Sequence, residues 1–323
     1  MFENKLIDCH IHYSNFIWKS WWFSELIHYL NKYSIKWAVV FWLPVIKKWS
    51  EQEKFAPEYY LDDDSECYYN NISDLKIVND YRQLQKDEQD RIFPLLCWFN
   101  PTDINSIEYI EYMFKNYSDV FIWIWEVFYR HDDLTFQTVG EFPKMNNKLT
   151  YKILEFSSKY DLPFLFHSNI TSAWQNTYPK YLKEVEDMIR EYPNTKIIWA
   201  HCWISRNIKI NWFINIIKRL LKEYKNLYLD LSWVVFDDVI NKTKQDLLEW
   251  VELTEEFSDR IIIWSDVLWD QFYKIWIINQ KYLDFFNLLS EETKENVLYK
   301  NVEHIYKKKK NSELKKIEFP KLF

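Results

Sequence analysis

The sequence predicts an α/β protein, a (β/α)₈ TIM barrel, on three observations. Eight short apolar runs alternate with segments of helical spacing along 323 residues, the pattern of βαβ units around a parallel sheet. Eight such repeats at this length favour a closed barrel over an open doubly wound sheet. Ionisable residues fall at the C-terminal ends of the apolar runs, the rim where barrels of this class carry their chemistry.

Residues 5–12 (KLIDCHIH) read as the first strand. Side chains two apart on a strand point the same way, so Asp8, His10 and His12 are expected on one face. Two imidazoles so placed make half of a metal site; two hydrogen-bonded histidines on a half-buried strand are the plainer alternative. Residues 20–33 have helical spacing and carry His28, an ordinary surface or groove residue in this reading. Residues 36–43, closed by Pro44, form strand two. Residues 45–71 are polar and acidic, with Asp62, Asp63 and Asp64, and too long for a plain connection; a lid over a site and a solvated excursion both fit.

Residues 72–90 read as helix and 92–99 as strand three, and Thr102 or Asp103 is placed to cap a helix over 104–117. Residues 120–128 (VFIWIWEVF) form strand four, with Glu126 near its end; a charge closing so apolar a run needs a partner or a job. A second long loop, 129–145, carries Arg130, His131, Asp132 and Asp133. A helix over 147–160 leads to strand five, 162–168, ending in His167. A helix over 178–192 leads to strand six, 195–202, with His201. A helix over 208–224 leads to strand seven, 226–232, with Asp230. A helix over 243–257 leads to strand eight, 260–266, with Asp266. Residues 272–289 and 291–306 are helical. One domain is expected over 1–306, followed by a basic, solvated tail, 307–323.

A net charge of −7 argues against generic binding to nucleic acid or an anionic membrane. Residues 1–19 lack the basic start and apolar block of a signal peptide, and no run approaches the roughly eighteen apolar residues of a membrane span. The four cysteines, Cys9, Cys67, Cys97 and Cys202, have no paired spacing and read as reduced thiols of a cytoplasmic protein.

One count is abnormal. The chain holds one glycine, Gly140, and 18 tryptophans, where roughly 23 glycines are expected at this length. Tryptophans stand where glycine belongs: Trp203 after His201-Cys202, Trp264 before Ser265-Asp266, Trp125 before Glu126, Trp233 after Leu231-Ser232. Many of them read as glycines of the organism, UGA codons rendered as tryptophan, in keeping with the lysine-, asparagine- and isoleucine-rich composition of an AT-rich genome. A genuinely tryptophan-rich protein is the alternative; Trp250, in a helical pattern, fits either. Even with glycine restored, no glycine-rich phosphate loop emerges, which weakens a nucleotide-binding reading.

Four of the seven histidines (His10, His12, His167, His201) stand at strand ends, with Glu126 and Asp266 at two others. The pattern Asp8-x-His10-x-His12, then His167, then Ala200-His201-Cys202, then Ser265-Asp266 resembles the amidohydrolase superfamily. It is most similar to the amidohydrolase-related metal-dependent hydrolases, which also include decarboxylases of aromatic and amino-muconate acids. The similarity spans residues 5–306, including the closing helix segment 295–301. The resemblance implies a distorted barrel with one or two divalent ions, with His10, His12, His167 and Asp266 as ligands. His201 would polarise the substrate or, in a two-metal variant, bind the second ion. The chain departs from the family at the tryptophans following Cys202 and preceding Ser265, where glycine is usual and an indole would crowd the mouth. Ile124-Trp125-Glu126-Val127 resembles a segment of the TatD-type deoxyribonucleases, a related branch in which this glutamate bridges two metals. For Glu126, metal ligand, partner of the ligands and buried salt bridge stay open. No lysine ends strand four, so a carboxylated-lysine bridge is not supported.

The chemistry of the residues agrees with these roles. Imidazole with carboxylate suits Zn²⁺, with Mn²⁺ or Fe²⁺ as alternatives. An open coordination position lowers the pKa of water to about 7; Asp266 can take its proton and pass it to the leaving group, and His201 can stabilise an oxyanion. Asp8 could orient the histidines or make a structural hydrogen bond. Four functions follow: a metal-dependent hydrolase of a small amide, ester or lactone; a non-oxidative decarboxylase; a TatD-like nuclease, against which the acidic balance weighs; and a non-catalytic ligand-binding barrel. Arg130 and His131 are candidate substrate-binding residues, and a carboxylate-binding arginine, Arg130 or Arg206, would favour decarboxylation. The expected partner is a small-molecule substrate, without nucleic acid or membrane; self-association stays open.

Overall fold

The computed structural model describes most of residues 5–306. Residues 1–4, 15–19, 21, 50, 51, 53, 56–64, 70–72, 122, 132, 133, 136, 137, 141, 142, 173, 174, 204–207, 233, 234, 269, 270 and 307–323 lie outside the described residues. The acidic run Asp62 to Asp64, Asp132, Asp133, Arg206, Trp233 and the basic tail are therefore outside them.

Eight parallel strands follow one another in chain order. β1 (Leu6–His12) pairs with β2 (Ile35–Phe41), and β2 with β3 (Ile92–Pro94), as one three-stranded sheet. β4 (Ile124–Phe128), β5 (Phe164–His167), β6 (Ile197–Trp199), β7 (Leu227–Asp230) and β8 (Ile261–Ile262) form a five-stranded sheet. The sheets meet at two seams. Just past β3, Leu96 bridges Ile124, and its N–H donates to the Trp123 carbonyl at 3.1 Å. Ile11 of β1 bridges Val267, and the His12 N–H donates to the Val267 carbonyl at 2.9 Å. Closed through these seams, the eight strands make the expected (β/α)₈ barrel.

Helices cover the outside, and local sequence explains them. α1 (Phe23–Lys32) buries Phe23, Leu26, Ile27 and Leu30, one apolar stripe at helical spacing. α4 (Lys148–Tyr160) starts at Asn147, whose side chain accepts from the Thr150 N–H, and α7 (Lys244–Glu256) starts at Thr243, which accepts from the Asp246 N–H. Between them, α5 (Leu182–Glu191) and α6 (Phe213–Glu223) turn Val185, Met188 and Ile189, then Ile216, Ile217, Leu220 and Leu221, inward. α2 (Ser73–Arg82) follows the loop after β2.

Several boundaries differ from the expectation. α3 (Ser106–Asn116) begins after Asn105 and neither Thr102 nor Asp103 caps it; the Asp103 carboxylate accepts the Asn105 N–H in a turn before the helix. β3 ends at Pro94, after which the Leu95 N–H still donates to the Val40 carbonyl at 2.9 Å. The span 272–289 breaks into a 3₁₀ turn, α8 (Ile275–Lys281) and α9 (Leu283–Leu288). The loop after β2 contains an antiparallel ribbon, Val45–Lys47 against Cys67–Tyr69, and the Val139 N–H donates to the Cys67 carbonyl at 2.8 Å. The two long loops are thus tied together beside the rim, over a small cluster of Leu43, Val45, Cys67, Phe128 and Leu134. All four cysteines are buried and unbridged.

Candidate metal centre

Each strand end delivers its ionisable side chain to one place. His10 and His12 come from β1, Glu126 from β4 and His167 from β5; His201 follows β6 and Asp266 follows β8. Nε2 of His10 lies 3.3 Å from Asp266 Oδ1 and 3.7 Å from Glu126 Oε2; Nε2 of His12 lies 3.2 and 3.6 Å from the same two atoms. His201 Nε2 is 3.8 Å from both carboxylates, and His167 Nδ1 is 3.4 Å from Glu126 Oε1.

These separations fit a shared cation. Four ligands at about 2.0–2.2 Å in a tetrahedral shell stand roughly 3.4 Å apart. Glu126 is 1% exposed, and its Oε2 accepts no hydrogen bond among the described residues, although a buried carboxylate oxygen without a partner is costly. A divalent ion among these donors would satisfy it. His10, His12 and Asp266 can close around one ion, as can His10, Glu126 and His201.

The backbone is strained at the same place. Glu126 (φ 29°), His201 (φ 54°), Cys202 (φ 49°) and Asp266 (φ 51°) occupy the left-handed region, which disfavours residues with a Cβ. Strain of this kind persists where surrounding structure enforces it, commonly at functional sites. The pairing irregularities agree: β1 shifts register against β2 between Asp8 and Ile11, and β4 against β5 between Ile124 and Val127, on the strands that carry His10, His12 and Glu126.

Burial pushes Asp266 up, but His201, His10 and His12 outweigh it and hold its carboxyl far below the usual range. At Glu126 burial outweighs the same imidazoles, and its carboxyl rises. Burial lowers His10 and His201. It is outweighed at His12, which the hydrogen bond and charge of Asp266 and the charge of Glu126 raise.

The other expected residues fall nearby. Asp8 does not meet an imidazole: its Oδ1 accepts the His10 backbone N–H at 3.2 Å, and burial drives its carboxyl up to about 7, with Ser265 and that N–H drawing it back. It lines a lateral cavity of about 790 Å³ between β1, the end of β8 and the outer helices, together with Trp264. The His131 ring stacks on His167 at 4.5 Å, at the edge of the donor cluster. Arg130 is buried, gripped by Glu184 at 2.7 and 3.2 Å and laid 3.5 Å over the Tyr181 ring. His28 is exposed on α1.

One residue was passed over. Asp230, fully buried at the end of β7, sets Oδ2 2.7 Å from His10 Nδ1. It closes the apolar run NLYLDLS as Glu126 closes its own, so the same criterion marks it in the sequence.

The amidohydrolase family model matches residues 7–308. Among solved structures, the chain is similar to a dihydroorotase from Campylobacter jejuni, at 18% identity over 95% of this chain and 84% of that one, with a TM-score of 0.57. It is similar to an amidohydrolase from Burkholderia multivorans with bound zinc, at 9% identity over 94% of this chain and 99% of that one, TM-score 0.55. It is also similar to a dihydroxybenzoic acid decarboxylase from Polaromonas sp. JS666 with bound manganese and an inhibitor, at 13% identity over 96% and 99%, TM-score 0.55. No curated protein matches the sequence.

Proposed function

This chain belongs to the amidohydrolase family, and from that premise we propose that it is a metal-dependent hydrolase of a small amide, ester or lactone. The observation that carries the reading is the set of imidazole and carboxylate atoms 3.2–3.8 Å apart, contributed by β1, β4 and β5 and by the turns after β6 and β8. His10, His12, His167 and Asp266 would hold the cation, with Glu126 as a further ligand, and the mixed nitrogen and oxygen donors suit Zn²⁺. Such an ion polarises a carbonyl and lowers the pKa of water to about 7.

The side chains supply the rest. Asp266, held ionised by three imidazoles, accepts a proton from the attacking water and returns it to the leaving group. His201 presents Nε2 beside both carboxylates, where it would polarise the carbonyl or join the donor set. His131, half-exposed and stacked on His167, is placed to meet the substrate. Arg130 is engaged by Glu184, so the hydrolase reading assigns it to positioning the loop and not to holding a substrate carboxylate.

The test is a screen of Zn²⁺-loaded protein against amides, esters, lactones and aromatic carboxylic acids. Proton release from esters and lactones and amine release from amides, both lost in Asp266→Asn, are expected. Carbon dioxide release from the acids without hydrolysis would replace the hydrolase reading by a decarboxylase.

A further inference from the structure

We propose that Asp230 and Ser232 are positioning residues that fix the tautomers of His10 and His201. Asp230 Oδ1 accepts the Ser232 hydroxyl at 2.7 Å, while Oδ2 stands 2.7 Å from His10 Nδ1. Ser232 Oγ lies 3.1 Å from His201 Nδ1. A serine hydroxyl has one hydrogen and an ionised carboxylate has none to give; burial raises the Asp230 carboxyl to about 7, so the assignment holds, and is measured, above that pH. The Ser232 hydrogen goes to Asp230, so the bond to His201 is donated by the ring: Nδ1–H to Oγ. His10 Nδ1 faces a carboxylate oxygen and donates as well.

A neutral imidazole carries one N–H. Both rings therefore turn a bare Nε2 towards Glu126 and Asp266. That is the form a cation takes, and a hydrogen-bond partner on the far ring nitrogen orients such ligands. One buried carboxylate sets two rings, His10 from the three-stranded sheet and His201 from the five-stranded one. Of the two roles left open above for His201, it selects the donor set, a ligand or proton acceptor, over polarising a carbonyl oxygen. This inference rests on the cation-centre reading above.

The experiment is ¹⁵N-imidazole NMR on the full chain, without cation and with Zn²⁺ alone. His10 and His201 are expected as Nδ1–H tautomers in both states. Ser232→Ala should release His201 to a mixture and leave His10 unchanged, and Ser232→Thr should restore it. Asp230→Ala should release both rings and weaken Zn²⁺ binding, measured by chelator competition, about 10–100-fold. Nε2–H at either ring in the unaltered protein, or His201 unmoved by Ser232→Ala, overturns the proposal; the Ser232 pair decides even where Asp230→Ala does not fold. Because tautomers are read without cation or substrate, a protein that hydrolyses nothing but shows both Nδ1–H rings refutes the hydrolase alone.

Discussion

The two sheets of the barrel are unequal. The three-stranded sheet, β1 to β3, brings imidazoles to the rim, His10 and His12. The five-stranded sheet brings three carboxylates, Glu126, Asp230 and Asp266, along with His167 and His201. Across the β8–β1 seam the His12 N–H donates to the Val267 carbonyl at 2.9 Å, and Asp266 Oδ1 reaches over it to His10 and His12 at 3.3 and 3.2 Å. The difference teaches that the site is also a clasp: what binds a cation joins the two sheets.

Removing Asp266 should break this comparison most. Asp266→Ala deletes the cross-seam carboxylate and should lower Zn²⁺ affinity by more than the roughly 10–100-fold typical of a residue one step removed from a metal; chelator competition measures it. Retained affinity would mean that the five-stranded sheet binds the ion without the seam.

Stripping the cation should come next. An ion that binds only the folded protein adds about 2.7 kcal/mol at a hundredfold excess over Kd. Thermal unfolding should therefore shift up with Zn²⁺, and amide exchange should slow most at His12 and Leu96, the N–H donors of the two seams. Uniform slowing would remove the clasp.

A third effect belongs to the three-stranded side, where a carboxylate is buried with no imidazole near. Asp74 of α2 accepts the Trp98 N–H at 3.2 Å and the Tyr109 hydroxyl at 3.0 Å. Burial nevertheless drives it up to about 8, those two bonds drawing it only partly back. Since its folded pKa lies above the unfolded value near 4, the folded state binds the extra proton, and the Asp74 contribution to stability is most favourable below about pH 4 and falls as pH rises towards 8. The loss is on the order of a few kcal/mol. Denaturant titrations across that range should flatten in Asp74→Asn; an unchanged slope would assign the pH dependence to other groups.

The smallest effect is expected at the far seam. Arg82 of α2 makes a two-oxygen contact with Asp119, just before β4, at 3.0 Å on an exposed surface. Arg82→Ala should cost about 0–1 kcal/mol, far less than Asp266→Ala, because water already solvates both charges.

Much of this was legible in the sequence. The eight runs and their order are periodicity, and the strand-end residues His10, His12, Glu126, His167, His201 and Asp266 stand out because charge rarely closes an apolar run without cause. The helix start at Ser106 was not, since Asp103 and Asn105 compete for the same turn and chain geometry decides between them. Asp230 was visible by the criterion that found Glu126, but its partners were not, since nothing local ties residue 230 to residue 10.

The sequence by itself determined the kind of fold, the strand that bears each candidate ligand and the conflict between 18 tryptophans and one glycine, because period, residue type and count are local properties. Only the tertiary structure decided which atoms meet. It sent Asp8 to a backbone N–H and a lateral cavity, set Asp230 behind His10, and engaged Arg130 with Glu184. Those outcomes depend on where the barrel closes and on the register shift between Asp8 and Ile11, and a displacement of one residue re-aims every side chain beyond it.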